Sequence, residues 1–217
     1  MSTVPVRIEW EDEVHRPREF AVGTLGWTAD DLDDPEIERQ WDEGSYEIVE
    51  GVLTRMAAAH FDGGNSLFRL GMIIQSHVDA AGTGGEFAVE TDLVLEQMRV
   101  PRVDGMYLTA DELRRQEALN AASRRPRGKY GRVRVVPTLI VEAISLGHEA
   151  HDKKTKRRWY AEAGVPHYWM LDAYAKLLEC FVVQGPDYRS EQVGRGTDEV
   201  KPSLFPGLVI PLARVWR

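Results

Sequence analysis

With 217 residues and 43% hydrophobic content, the chain is long enough to bury one full core. A formal net charge of −8 excludes a protein that grips nucleic acid through a globally basic surface and leaves only a local basic patch for that purpose. The single cysteine, Cys180, excludes an intramolecular disulfide and a cysteine-rich zinc site, and LLECFVV around it reads as a buried strand.

Residues 1–27 alternate weakly and carry mixed charge, the pattern of an extended N-terminal arm, and 28–217 then read as one domain. TADDLDDPEIERQWDEG, from Thr28, predicts an acidic capped helix stopped by Gly44. SYEIVEGVLTRMA predicts a hairpin turning at Glu50-Gly51. Leu67, Leu70, Ile74 and Val78 then recur at helical spacing between Ser66 and Ala81. Three strands are expected next, in GEFAVE, DLVLEQ and VDGMYL, with Pro101 interrupting the basic turn between the last two. DELRRQEALNAASRRPRGKYGRVR predicts a short helix and a loop whose arginines, from Arg114 to Arg134, form a candidate patch for phosphates. PTLIVEAIS, HDKKTKRRWYAEAG and HYWMLD give strand, helix and strand, the order of a parallel crossover. LLECFVV, YRSEQV and LFPGLVIPL are expected to finish the sheet as a meander. No apolar run approaches the roughly 20 residues of a membrane span, and MSTVPVRIEW has no signal-peptide pattern, so a cytoplasmic chain without membrane contact is expected.

One residue conflicts with its surroundings. Glu142 interrupts the apolar run LIVEAIS, and a buried carboxylate is costly unless it is paired, hydrogen-bonded or bound to metal. Asp104 does the same in VPRVDGMYL. Two carboxylates on neighbouring strands can share a hard cation such as Mg2+ or Mn2+, which takes oxygen ligands at roughly 2.0–2.6 Å.

The succession YEIVEG, apolar helix, VPRVDGMYL, LIVEAIS, HDKKTKRRWYAEAGVPHYWMLD and LFPGLVIPL resembles the Uma2 family of restriction endonucleases, within the PD-(D/E)XK nuclease superfamily. The resemblance runs from about Thr28 to Leu212. Its most specific part, D-x-x-x-K-x-x-x-Y-x-x-A-G-V-x-x-Y-W-x-x-D, is met from Asp152 through Asp172. It implies a restriction-endonuclease-like α/β fold, a central mixed sheet flanked by helices, and metal-dependent hydrolysis of DNA. It further implies Asp104 and Glu142 as metal-holding carboxylates, Lys156 as the catalytic lysine, Glu47 of YEIVEG as a further acid of the site, and a homodimer as the working form. The chain departs from the family's pattern at Val103, where proline is usual, and at Ile144, where the superfamily carries lysine. It departs again at Gly64 or Asn65, where a histidine is common; His60 lies nearby.

Spacing allows Lys156 to serve in place of a strand lysine, because Asp152, Lys156 and Tyr160 share one helix face. Replacing Lys156 is expected to spare folding. Lys153, Lys154, Arg157 and Arg158 are expected to form a solvated helix face, while Trp159, Tyr168 and Trp169 belong to the core. His148 and His151 lack the spacing of a zinc site. The reading from another class is a silent module that keeps the nuclease scaffold and binds nucleic acid or protein without cutting.

Overall fold

The computed structural model of the chain describes residues 19–56, 61–123, 128–129, 131–144 and 149–216, with 149–153 as backbone alone. After a 3-10 turn at Asp31–Asp33, helix α1 (Pro35–Asp42) begins where Asp34 accepts hydrogen bonds from the N–H groups of Glu36 and Ile37. The regular helix therefore starts at Pro35 and not near Thr28. Proline suits the first helical position because its missing N–H would have had no partner there. Strands β1 (Tyr46–Val49) and β2 (Val52–Arg55) form the expected hairpin, and its turn residues Glu50 and Gly51 take φ values of 48° and 76°. Helix α2 (Phe61–Ala81) starts ahead of the apolar stripe that revealed it.

The main sheet contains β3 (Glu86–Asp92), β4 (Arg102–Leu108), β5 (Leu139–Ala143), β6 (His167–Asp172), β7 (Leu177–Gln184) and β8 (Asp187–Arg195) in that spatial order. Helix α3 (Ala110–Ala121) follows β4, opened by a capping box between Thr109 and Glu112. Helix α4 (Glu149–Glu162) makes the crossover between β5 and β6, which are parallel; the other neighbours are antiparallel. The fold is thus a mixed sheet flanked by helices.

Two strand expectations need correction. DLVLEQ is no separate strand. Asp92 ends β3, and the chain then folds back on itself, with the N–H of Leu95 donating to the carbonyl of Arg99 at 3.1 Å. LFPGLVIPL does not extend the main sheet. Its strand β10 (Ile210–Pro211) pairs with β9 (Glu199–Val200) in a small second sheet, followed by α5 (Leu212–Val215).

Alternation along β5 sorts its side chains between two cores. Leu139 and Val141 face α2, packing with Leu67, Leu70, Ile74, Trp169 and Cys180. Ile140 faces the other way, among Met106, Tyr168, Phe181 and Tyr160 of α4. Glu142 shares the parity of Ile140, so it belongs to the α4 side. A third core joins α1 and the hairpin through Trp27, Leu32, Ile37, Trp41, Ile48 and Leu53, with Phe20 packed against it. Among the described residues, no helix is long and apolar enough to cross a membrane.

Gly105 sets how closely α2 lies over the sheet. A Cβ there would come within 2.8 Å of Phe87 Cζ and 3.1 Å of Leu67 Cδ1. Gly105→Ala should therefore overpack this core and cost about 1–3 kcal/mol in urea unfolding. An unchanged midpoint would show that the layer has slack.

Candidate active site

The register of β4 and β5 places Gly105 opposite Val141 and Met106 opposite Ile140. Carried one step further, it sets Asp104 opposite Glu142 on the same face of the sheet. Regular pairing ends there, and the Ala143 N–H donates to Asp104 Oδ2 at 2.7 Å in place of a strand carbonyl. On the far side of Asp104, β3 is irregular. Val89 pairs with Gly105 and Thr91 with Val103, while Glu90 between them is held at φ 45°.

Helix α4 closes the site from above. Tyr160 is fully buried, and its hydroxyl donates to Glu142 Oε1 at 2.5 Å. One turn earlier, Lys156 Nζ donates to Glu47 Oε1 at 2.5 Å. The same oxygen accepts the Arg102 N–H at 3.0 Å, so the backbone at the start of β4 helps to fix Glu47. Lys156 is 5% exposed, Glu47 3% and Glu142 7%, and Asp104 is half-buried. The hairpin reaches this position because Ile48 and Val100 exchange backbone hydrogen bonds of 2.9 and 3.0 Å. Glu50 adds a second tie, accepting from Trp159 Nε1 and Arg99 Nε at 3.0 Å each.

Four residues from β1, β4, β5 and α4 thus meet in one cluster: Glu47, Asp104, Glu142 and Lys156. Burial pushes the Glu142 carboxyl well above its usual range, the Lys156 charge pulls it back, and the Asp104 charge raises it again. Burial likewise raises Asp104, against the opposing pull of the Ala143 N–H and Lys156. Two facing carboxyls can share a proton. A hard cation is the other species that could occupy that position, and the all-oxygen donor pair suits it. Among the described residues, no group of three or more His, Cys, Asp or Glu side chains is gathered as a fuller metal cluster.

Other expected features divide differently. Lys154 is exposed and Arg158 forms a partly exposed pair with Glu162, but Arg157 stacks on Phe181 with its guanidinium carbon 4.7 Å from the ring centre and donates to the Tyr188 carbonyl. Arg132, expected in a phosphate-facing loop, is buried and donates to the Leu32 carbonyl at 2.9 Å. Lys156 is not removable without structural cost, since its loss leaves a buried Glu47 charge behind. Ile144, just past the end of β5, offers no charge there, and Gly64 occupies an exposed position on α2. His60, His148, Arg124, Arg125 and Arg127 lie outside the described residues, as do the side chains of His151, Asp152 and Lys153. Glu90 and the role of Tyr160 were missed. Tyr160 stood in the D-x-x-x-K-x-x-x-Y motif with a signal to follow, whereas nothing in GEFAVE marks a left-handed residue.

The family model described as "Putative restriction endonuclease", Uma2, matches residues 34–213. The chain belongs to the Uma2 family. Among solved structures, the crystal structure of "a putative nuclease belonging to DUF820" from Anabaena variabilis ATCC 29413 matches with a TM-score of 0.60 and 15% identity, covering 80% of this chain and 90% of that one. At that identity the likeness concerns the fold. No curated protein matches the chain.

In this Uma2 member, the raised carboxyls carry a definite pH dependence. Folded Glu142 keeps its proton above the usual value of 4.5, so the folded state binds more protons than the unfolded one as pH rises past it. Stability in metal-free buffer must then fall with rising pH. Glu142→Gln can still accept the Tyr160 hydrogen bond and removes that loss. In EDTA at neutral pH the variant should resist urea better than wild type, with the gap closing as pH falls toward 4.5. A variant weaker than wild type at neutral pH would contradict the assigned shift.

Proposed function

We propose that this chain is a divalent-metal-dependent endonuclease that hydrolyses DNA phosphodiester bonds. Asp104 and Glu142 are its metal-holding carboxylates, Lys156 its cationic group at the reacting phosphate, and Glu47 the partner that holds Lys156 in place. The observation that carries this reading is the meeting of the family's chemistry-bearing positions, drawn from β1, β4, β5 and α4, in one nearly buried cluster. Membership of the Uma2 family supports it.

Mg2+ or Mn2+ bound by Asp104 and Glu142 would neutralise charge on the phosphate and acidify a water. The chain's own groups do the rest. Lys156 supplies a compact ammonium whose orientation is set by Glu47, itself fixed by the Arg102 N–H. In a site so poorly hydrated, that charge acts on a developing oxyanion far more strongly than it would in water. Helix α4 provides the cation that Ile144 cannot provide. Cutting both strands of a duplex calls for two such sites, which a homodimer supplies. A cytoplasmic location fits a DNA substrate.

The silent-module reading draws on the acidic balance of the chain and on Gly64 or Asn65 at the position where the family often carries histidine. Supercoiled plasmid separates the two. Nicking by wild type in Mn2+ or Mg2+ and none in EDTA is expected; DNA binding without nicking in any metal would establish the module instead.

Within the active protein, Lys156→Gln is more informative than Lys156→Ala, because a neutral amide, on a stem one bond shorter, keeps donors facing Glu47 while the charge is lost. It should lower nicking by about 10²-fold or more, the scale of a lost electrostatic group. Lys156→Arg should restore only part, since a planar fork cannot place its donor as an ammonium does. Lys154→Ala, on the exposed face, should leave the rate unchanged. Full activity in a folded Lys156→Gln variant would remove Lys156 from the mechanism.

A further inference from the structure

We infer that Tyr160 is the positioning residue of the metal site: its buried hydroxyl ties down Oε1 of Glu142 and presents the other carboxylate oxygen toward a divalent cation shared with Asp104. This rests on the metal-dependent reading above.

A glutamate side chain can rotate about its last bond and offer either oxygen. A ligand that must first be ordered binds metal more weakly than one already held, and the groups that hold it therefore contribute to affinity without touching the ion. Tyr160 has the features such a group requires. Its hydroxyl lies 2.5 Å from Glu142 Oε1. Its ring is fully buried and tilted against Tyr168, with centroids 5.9 Å apart. The helix that carries it is clamped just ahead of this position, by Lys156 on Glu47 and by Trp159 on Glu50, with the Arg99 guanidinium 5.3 Å from the Trp159 ring centre. Lys156 and Tyr160 are four residues apart and so project from one face of α4. One face of a single helix therefore carries both the charge that offsets the two carboxylates and the hydroxyl that aims one of them.

Tyr168 provides an internal comparison. It is equally buried in the same aromatic cluster, on the same side of the sheet, but its hydroxyl has no hydrogen-bond partner among the described residues. That hydroxyl lies within electrostatic reach of Glu142 and Asp104 without bonding to either, so two identical substitutions separate a direct hydrogen bond from mere proximity to the carboxylates.

The experiment is a calorimetric Mn2+ titration of the full chain as wild type, Tyr160→Phe, Tyr168→Phe and Asp104→Asn, each checked by circular dichroism. Asp104→Asn should abolish binding. Tyr160→Phe should bind one Mn2+ about 10- to 100-fold more weakly, the usual cost of losing a group that orients a metal ligand, and Tyr168→Phe should match wild type. A tyrosine ultraviolet difference band on adding Mn2+ should appear in wild type and Tyr168→Phe, because the ion polarises the carboxylate to which Tyr160 donates, and should vanish in Tyr160→Phe. If Tyr160→Phe fails to fold, absence of the band from both wild type and Tyr168→Phe would still overturn the inference. Wild-type affinity in a folded Tyr160→Phe variant would overturn the positioning role and leave the metal site standing. Absence of Mn2+ binding by wild type would overturn both.

Discussion

Lys156 and Glu47 form an ion pair almost sealed from water, 2.5 Å between charged atoms that are 109 residues apart in sequence. Desolvating two charges is expensive, and their attraction offsets that cost only when the geometry is good and further hydrogen bonds satisfy the remaining atoms. Glu47 has such a bond from the Arg102 N–H. The pair ties the N-terminal hairpin to α4 directly above the point where β4 and β5 stop pairing. Without it, Glu142 and Asp104 would face each other with no positive charge close by among the described residues, in a setting where burial already opposes their ionisation.

A second set of polar contacts keeps the hairpin where that pair needs it. Asp92, at the end of β3, accepts from Trp41 Nε1 at 2.7 Å and from Arg102 Nε at 2.9 Å, while Arg102 Nη1 donates to the Gly44 carbonyl. Helix α1, the entry to the hairpin and the first residue of β4 are thus joined through one carboxylate. Trp159, Glu50, Arg99 and Glu162 join the turn of the hairpin to the far end of α4. The two networks flank the Lys156–Glu47 pair, so a shift in either would be felt as a change in the separation between ammonium and carboxylates. The chemistry proposed for the chain requires that separation to be fixed, because preorganised charge stabilises a transition state only if it need not move.

Much of this arrangement is legible in the sequence, for physical reasons that differ by element. LIVEA alternates between two buried faces, so the one charged residue stands out against its neighbours. Glu50-Gly51 supplies two residues able to adopt positive φ, as a tight hairpin requires. Glycine after WYAEA and the apolar runs on either side of α4 define the crossover. What escaped depends on contacts made at a distance. DLVLEQ has the composition of a strand, but its hydrogen bonds go to Val133 and Arg99, which no local pattern foretells. Arg132 has the look of a loop cation until Leu32, a hundred residues earlier, accepts its guanidinium. Glu90 owes its left-handed conformation to the irregular ladder beside Asp104. The pairing of Lys156 with Glu47 was equally hidden, although both residues belong to recognisable motifs, because a motif identifies a residue type and spacing without naming its partner.

The central claim is that Asp104 and Glu142, brought opposite each other by strand register and relieved by Lys156, form a site for one divalent cation. Anomalous diffraction from crystals soaked in Mn2+ tests it without reference to any substrate or reaction. The account predicts a single anomalous peak between the two carboxylates, within the roughly 2.0–2.6 Å of oxygen that a hard cation adopts, and its loss from crystals of Asp104→Asn. Crystals that bind Mn2+ only elsewhere, or that bind none between the two carboxylates at saturating metal, would contradict it.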